Sequence, residues 1–407
     1  MRKQSGFNTI FIATLVSGVT LLAWGVASAA ITQQCGYCHT MHNSQDGGAF
    51  YSPLDPAGVT ATSLNGALLR WDCAGCHSGY NTTASINGGA GIPKVNSAPD
   101  GAPTYLYGDS AGAANDTLAG GDFYWVATAG GADDTTGHNV DIVAAADSMG
   151  LTPPGWDEGM GTGINSGGAT WVTAQLRCAG TYGCHGDHSV PDAFGAISGA
   201  HHGDTGTVDG LTVGTSYRWL SGLTTAAGIL GTEDADWEWT RQANDHNQYR
   251  GEDRLKTAAG DAISSTQTIS YLCAKCHGKF HNNNAATADD GITNADNAWM
   301  RHPTDYDMAN TAAGSEYKDY PDGTGTIDTR PYSTETPVAD ATADTVLATV
   351  QLGTANDTAI VTCISCHRAH GSPYKDLVRW DYEADCNAST ANAACGCFNC
   401  HTTKDGS

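Results

Sequence analysis

Basic residues are scarce in this chain: 19 Lys+Arg stand against 43 Asp+Glu, a formal net charge of −24. Nucleic-acid binding is thereby excluded as a main role, because phosphate contacts need a basic surface. An acidic surface keeps an exported protein soluble and can also dock a basic redox partner. Charged residues of both signs make up only 15% of the sequence, against roughly a quarter in ordinary globular proteins. Long apolar runs are missing after residue 29, so nothing in the mature chain is predicted to span a bilayer. Periodic apolar stretches are missing too. A core made of protein alone would be thin for 407 residues, and another source of buried apolar mass is required.

The N-terminus reads as a secretory signal. Arg2 and Lys3 supply the positive start, Ile10 to Val26 are mostly apolar, and Ala27-Ser28-Ala29 offers a small-residue cleavage site. Thr14, Ser17, Gly18 and Thr20 interrupt the apolar run, which argues against a retained anchor. No Cys stands at the cleavage site, so a lipoprotein is not indicated. Residues 1–29 are assigned as signal peptide and 30–407 as a single domain, exported and free of membrane spans.

What the chain does have is 51 glycines, 14 cysteines and 15 histidines. In an exported protein that many cysteines ordinarily means disulfides, but the spacing argues otherwise. Five clusters read Cys-x-x-Cys-His: Cys35/Cys38/His39, Cys73/Cys76/His77, Cys273/Cys276/His277, Cys363/Cys366/His367 and Cys397/Cys400/His401. This is the c-type haem attachment pattern. Two thiols form thioethers with the macrocycle, and the adjacent His is held against the iron as proximal ligand. A sixth cluster, Cys178 with Cys184-His185, keeps the Cys-His pair but puts five residues between the thiols. Gly180 and Gly183 let the longer loop bulge. A small disulfide loop is the alternative reading there. At the C-terminus Cys395 competes with Cys397 as first thiol of a longer frame, but the two-residue spacing fits better. Cys386 and Cys395 are then left to form a disulfide, and the thiol count closes on six haem c groups.

Six proximal histidines leave nine others: His42, His138, His188, His201, His202, His246, His281, His302 and His370. Six irons need six distal ligands, so every haem can be bis-histidine. Our preferred set is His42, His138, His201, His281, His302 and His370, with His188, His202 and His246 as alternates. Methionine ligation has only Met41, Met149, Met160, Met300 and Met308 to draw on. Three residues beyond His39, His42 cannot bind its own iron, because the porphyrin plane lies between them. Bis-histidine iron has no open position; it passes electrons and activates no substrate. No catalytic residue is assigned.

Proximal histidines fall at 39, 77, 185, 277, 367 and 401, close together at both ends and spread through the middle. The wide intervals are rich in Gly, Asp, Thr and Asn, which are turn residues. The fold class predicted is a multihaem cytochrome c, mostly loops and turns with a few short helices and strands wrapped around a chain of haems. Short strands are predicted at 124–128, 211–217 and 346–352, and short helices just after the attachment sites and at 374–382. Most of the 10 Trp and 16 Tyr are predicted to pack on haem faces and edges.

The motifs "CHTMHNS" at the N-terminus, "TGHN" around His138, "CAKCHGKFHNN", "RHP" around His302 and "CISCHRAH" together resemble a known family. It is the extracellular multihaem c-type cytochromes of metal-reducing bacteria, in particular the hexahaem OmcS-type cytochromes that polymerise into conductive filaments. The matches span most of the chain but are short. The Cys178–Cys184 spacing, the His201-His202 pair and the C-terminal disulfide candidate depart from the pattern. The resemblance implies an unbroken chain of bis-histidine haems running from subunit to subunit, with copies of the same chain as partners. It implies that His42 ligates a haem of the adjacent subunit, where residue chemistry alone also allows a neighbouring haem of the same chain. It places the protein outside the cell or on its surface, exported through the periplasm, with redox proteins or external acceptors receiving electrons. A monomeric exported shuttle and, less favoured, a reductase of a small oxyanion are the competing readings.

Overall fold

The structure, a computed structural model, describes residues 35–39, 44–45, 48–49, 68–69, 72–86, 91–127, 130–131, 133–148, 150, 152–156, 175–204, 206–221, 228–253, 266–280, 304–310, 317–353, 358–386 and 394–401. The signal peptide, His42, His281, His302 and every candidate methionine except Met308 lie outside the described residues.

Regular structure comes in short pieces. The longest helix among the described residues is Ile269–Ala274, and each of the five sheets there has only two strands. Helices this short do not persist alone in water; caps and tertiary contacts hold them. Polar side chains do much of that work by capturing backbone donors locally. Buried Asp122 accepts from Ser97 N and Tyr124 N. Asn81 brackets Lys94, accepting from its N–H and donating to its carbonyl. Asp340 accepts from Thr342 N and Ala343 N. The abundance of Asp, Asn and Thr is therefore the means by which a loop-rich chain satisfies its main chain.

The loop-rich architecture matches the sequence reading, and its details correct it. The described part of 124–128, residues 124–127, is not a strand: Asp122 caps a 3-10 turn, Phe123–Trp125. In 211–217, Thr212 and Thr215 bond each other's main chain, giving the turn Val213–Thr215 followed by Tyr217–Trp219. Of 346–352 only Thr349–Val350 is strand, paired with Arg330–Pro331. Residues 374–382 hold a 3-10 turn, Lys375–Leu377, and the start of the helix Tyr382–Asp385. Short helices do follow some attachment sites, Thr83–Ile86 after His77, Ala193–Ala196 after His185 and the 3-10 turn Gly278–Phe280 after His277, and most attachment motifs are themselves helical turns. No helix among the described residues is long and apolar enough to cross a membrane.

Two apolar clusters meet at one strand. Ile360–Val361 pairs antiparallel with Tyr306–Asp307. Successive side chains on a strand point to opposite faces, so Ile360 enters a cluster with Tyr217, Ile229, Tyr249 and Ile269. Val361 enters the other, with Met308, Tyr320, Tyr332 and Val350. Met308 is thus a core residue. Ile364, inside a Cys-x-x-Cys-His motif, belongs to the first cluster, and Cys400 packs on the second. The attachment motifs are parts of the core.

Elsewhere three chain segments cross at glycines. Gly121 bridges Gly371 in parallel, and Gly137 bridges Gly371 antiparallel. A Cβ on Gly371 would lie 2.7 Å from Asp122 O and 2.9 Å from Thr136 O. Gly121 also has φ +80, a left-handed conformation that other residues resist. The crossing positions two histidines: His370 N donates to Gly120 O at 2.8 Å, and His138 N to His370 O at 3.4 Å. Gly121→Ala is expected to cost about 3 kcal/mol, combining backbone strain with overpacking. A denaturant titration within about 0.5 kcal/mol of wild type would show that the crossing is not close-packed.

Candidate functional site

The five regular motifs share one backbone geometry. Cys35–Cys38, Cys73–His77, Cys363–Cys366 and Cys397–Cys400 are single helical turns. Cys273 lies at the end of Ile269–Ala274. The histidine amide donates to the first cysteine's carbonyl at 2.9 Å for His39, 2.9 Å for His277, 3.0 Å for His367 and 2.8 Å for His401. One helical turn sets both thiols on one face, three residues apart. Caps hold the turns: Asp72 accepts from Gly75 N at 2.7 Å, and Thr268 from Tyr271 N at 3.2 Å. Before the last turn, Gly396 lies so close to the Trp380 ring that a Cβ could not fit.

The Cys178–Cys184 cluster reaches a similar presentation by another route. Strands Arg177–Ala179 and Gly183–His185 pair in parallel, with Arg177 opposite Gly183 and Ala179 opposite His185. That register sets Cys178 beside Cys184 on the same face of the ribbon. The intervening loop turns through Gly180 at φ +91, and a Cβ on Gly183 would lie 2.5 Å from the Ala179 carbonyl carbon. Five intervening residues are compatible with adjacent thiols because the two strands fold back side by side.

Next to the thiols, the imidazoles are oriented through Nδ1. His77 Nδ1 meets Pro93 O at 2.8 Å, His185 meets Arg218 O at 2.9 Å, His277 meets Pro154 O at 2.7 Å and His367 meets Asp376 O at 2.6 Å. His138, from a distant loop, meets Ala369 O at 2.7 Å in the same way. A carbonyl at Nδ1 selects the tautomer with its lone pair on Nε2, the nitrogen then suited to a metal. Desolvation lowers His77 to about 4 and His201 to about 4, and lowers His138 and His185. Neutral imidazole is the ligating form.

Three pairs of rings face each other at one characteristic separation. Centroids lie 6.2 Å apart for His39 and His202, 6.5 Å for His77 and His201, and 6.2 Å for His138 and His277. Two metal–nitrogen bonds of about 2 Å plus the two ring radii put trans imidazoles on one metal about 6 Å apart. The donor set, paired thiols beside such imidazoles, therefore fits c-type haem. The His201-His202 pair places one ring near His77 and the other near His39, the histidines of the first two motifs.

The attachment motifs follow each other in a row. Burial and then Cys38 push the Cys76 thiol up to about 11. Cys73 and Cys178 share a hydrogen bond that lowers the first and raises the second. The protein around Cys184, followed by Cys273, pushes that thiol up to about 11, although part of the residue faces solvent. Cys273 is in turn the hydrogen-bond partner that raises Cys363. Burial and then Cys397 push Cys366 up to about 12. Each motif thus adjoins the next in chain order. Beyond the last one, Cys386 and Cys395 are joined in a disulfide with Cα atoms 5.0 Å apart.

Other candidates are placed differently. His246 is fully buried, stacked on Tyr332 at 3.6 Å, with Nδ1 against Asn247 O and Nε2 against Leu347 O. Both nitrogens are occupied, so His246 is a packing residue and leaves the set of alternates. His188 turns Nε2 to Cys184 O at 3.1 Å, inside its own motif. His370 packs on Phe123 at 4.8 Å, and desolvation, then His185, bring it down to about 3.

A family model described as a doubled CXXCH motif matches residues 357–406. The C-type cytochrome OmcS of Geobacter sulfurreducens is 27% identical over 380 residues, covering 86% of this chain and 78% of that one. The chain is thus similar to OmcS along most of its length. Among solved structures, the cryo-EM structure of the OmcS nanowires from Geobacter sulfurreducens is 21% identical, covers 93% of this chain and all of that one, and has a TM-score of 0.47. The outer membrane cytochrome S filament from the same organism is 22% identical, covers 87% and 85%, and has a TM-score of 0.42. Those superpositions are too loose to transfer any contact from one chain to the other.

Sequence reasoning missed the residues behind the candidate ligands. Trp219 packs on His201 at 4.1 Å, and the carbonyls of Pro93, Pro154, Arg218 and Asp376 orient the rings. A main-chain carbonyl carries no residue signature, so no motif could have revealed them. The lowered imidazoles have a consequence for stability. Each binds its proton less readily when folded than at the ordinary 6.5, so the unfolded chain takes up more protons below that pH. Burial pushes Asp122 up to about 6 and Asp234 up to about 8 and raises Asp72 and Glu335; these four carboxyls work in the opposite sense, against six lowered imidazoles. The denaturation midpoint is expected to fall as pH drops from 6.5 to about 4. Equilibrium unfolding followed at the Soret band checks this, and a flat profile would contradict it.

Proposed function

We propose that this chain is an exported electron conduit that holds six c-type haems, each between two imidazoles, and assembles with copies of itself into a filament. The observation that carries the reading is the set of three ring pairs separated by 6.2–6.5 Å. The row of adjoining motifs supports it further. Such haems supply reversible one-electron carriers, close enough in sequence order to hand an electron along. The chain's residues do the rest. Twelve thiols, Cys35, Cys38, Cys73, Cys76, Cys178, Cys184, Cys273, Cys276, Cys363, Cys366, Cys397 and Cys400, would make the thioethers. His39, His77, His185, His277, His367 and His401 would be proximal ligands, oriented by carbonyls at Nδ1 in the four cases above. His202, His201 and His138 would complete the first, second and fourth sites. His370, charge-coupled to His185, is our candidate for the third. His42, His281 and His302 remain for the last two sites, with His42 reaching a haem of the adjacent subunit. With both axial positions taken, the irons would bind no substrate, and the protein would act outside the cell as a carrier to external acceptors.

OmcS is described in its solved structures as a nanowire and a filament, and self-assembly is carried to this chain as part of the proposal. Electron microscopy of the native protein sheared from cells is expected to show filaments, lost in His42→Ala. Isolated particles with intact haem content would leave the monomeric shuttle in its place. Ligand roles have a separate check by electron paramagnetic resonance. His202→Ala is expected to turn one low-spin haem high-spin. His246→Ala should leave every haem low-spin and only lower stability, by about 2 kcal/mol through lost packing and hydrogen bonds. A high-spin signal in His246→Ala would overturn the packing role.

A further inference from the structure

Arginine is expensive to bury unless a carboxylate accompanies it. Two partly buried arginines here follow that rule: Arg218 has Glu233 at 3.8 Å and Arg330 has Asp319 at 3.1 Å. Three others do not. Arg241, Arg368 and Arg379 are 0%, 1% and 1% exposed, and each donates to main-chain carbonyls. Arg241 reaches Glu238 O and Thr117 O. Arg368 reaches Ala119 O and Leu106 O, with its guanidinium 5.5 Å over the Tyr105 ring. Arg379 reaches Ile364 O and Thr334 O. They stand close enough that, after burial, Arg368 is the next cause lowering both Arg241 and Arg379 to about 10. Glu238 is the carboxylate whose charge acts on both Arg241 and Arg379; it accepts from Asn247 N and Nδ2 and from none of the three guanidinium groups. Carbonyl dipoles satisfy most of these donors, Arg241 Nη1 excepted, and one carboxylate offsets only part of three positive charges.

The cluster is bound into one attachment motif. Arg379 Nε donates at 2.6 Å to the carbonyl of Ile364, between the two cysteines of Cys363–Cys366, and Arg379 N donates to Cys366 O at 2.9 Å. Arg368 directly follows His367. Single cations adjoin two other motifs, buried Lys275 within Cys273–Cys276 and Lys94, whose Nζ donates to Cys76 O, but no group of three does among the described residues.

We propose that Arg241, Arg368 and Arg379 form a buried positive cluster that makes the haem of Cys363, Cys366 and His367 the most easily reduced in the chain. The inference rests on the haem reading above. Reduction adds one electron to that iron, drawn from a neighbouring carrier, and a net positive charge, three guanidinium groups against Glu238 and the buried Asp305 that acts on Cys363, favours the reduced form. At about 10 Å and an effective dielectric constant of about 20, one unit charge changes the reduction equilibrium by about tenfold. The fifth site would then be a resting place for electrons one step from the end of the row.

The experiment is an optical redox titration of the holoprotein, with haem content and position read by intact mass and peptide mapping. Wild type should show one component above the others. Replacing Cys363 and Cys366 by Ala, which removes that haem, should remove that component. Arg379→Gln should lower it about tenfold in its reduction equilibrium, and Arg379→Lys should leave it near its place. The proposal is overturned if the uppermost component survives loss of the fifth haem. It is also overturned if Gln and Lys shift it alike, which would mean packing rather than charge. A full haem complement with no shift in Arg379→Gln overturns it too. Should that variant fail to fold, Arg241→Gln makes the same test at the guanidinium whose Nη1 meets no acceptor. Absence of haem on the peptide with Cys363 and Cys366 would instead refute the underlying haem reading.

Discussion

The hydrogen bond from an imidazole Nδ1 to a main-chain carbonyl is the constraint on which the rest of this structure depends. Pro93, Arg218, Pro154 and Asp376 each offer a carbonyl to an attachment histidine. Without it a ring beside a Cys-x-x-Cys turn could rotate about two side-chain bonds and ligate poorly. With it, tautomer and direction are both set. The carbonyls come from segments up to 123 residues away in sequence, so orienting the ligands requires the loops to be folded back. That requirement explains why so little of the chain is regular structure and why so many turns are locked by Asp, Asn and Thr.

Glycine and buried arginine serve the same end by different physics. At the Gly121, Gly137 and Gly371 crossing, main chains approach closer than any side chain allows, which brings His138 and His370 from separate loops into register. Around the fifth motif, arginines span loops by binding carbonyls that no secondary structure satisfies. Buried unpaired carbonyls are costly, and a guanidinium with five donors can serve several at once. The same guanidinium groups leave positive charge in a chain that is otherwise strongly acidic.

Two tasks that look alike in sequence are separated in the structure. His201 and His202 are adjacent, yet one faces His77 and the other His39, because both lie in one helical turn, Ala200–Gly203. Successive residues there point about 100° apart, so a doublet can serve two sites. His246 has the same side chain and the deepest burial of the candidates, and it packs on Tyr332 instead.

The sequence alone determined the chemistry. Cys-x-x-Cys-His is a local pattern whose geometry one helical turn dictates, so the five regular motifs, the histidines beyond them and the loop-rich character were legible from spacing and composition. Tertiary structure alone decided which imidazoles oppose which. His202 was only an alternate by sequence, and its place opposite His39 depends on segments more than 150 residues apart. The parallel pairing that sets Cys178 beside Cys184 is likewise invisible in a five-residue spacing, which fits a hairpin or a disulfide loop equally well. The short strands expected at 124–128 and 211–217 failed for a related reason: a side-chain oxygen two or three residues away competes with a cross-strand partner, and composition does not say which wins. Local covalent chemistry is written in neighbouring residues; pairing across space is a property of the folded chain.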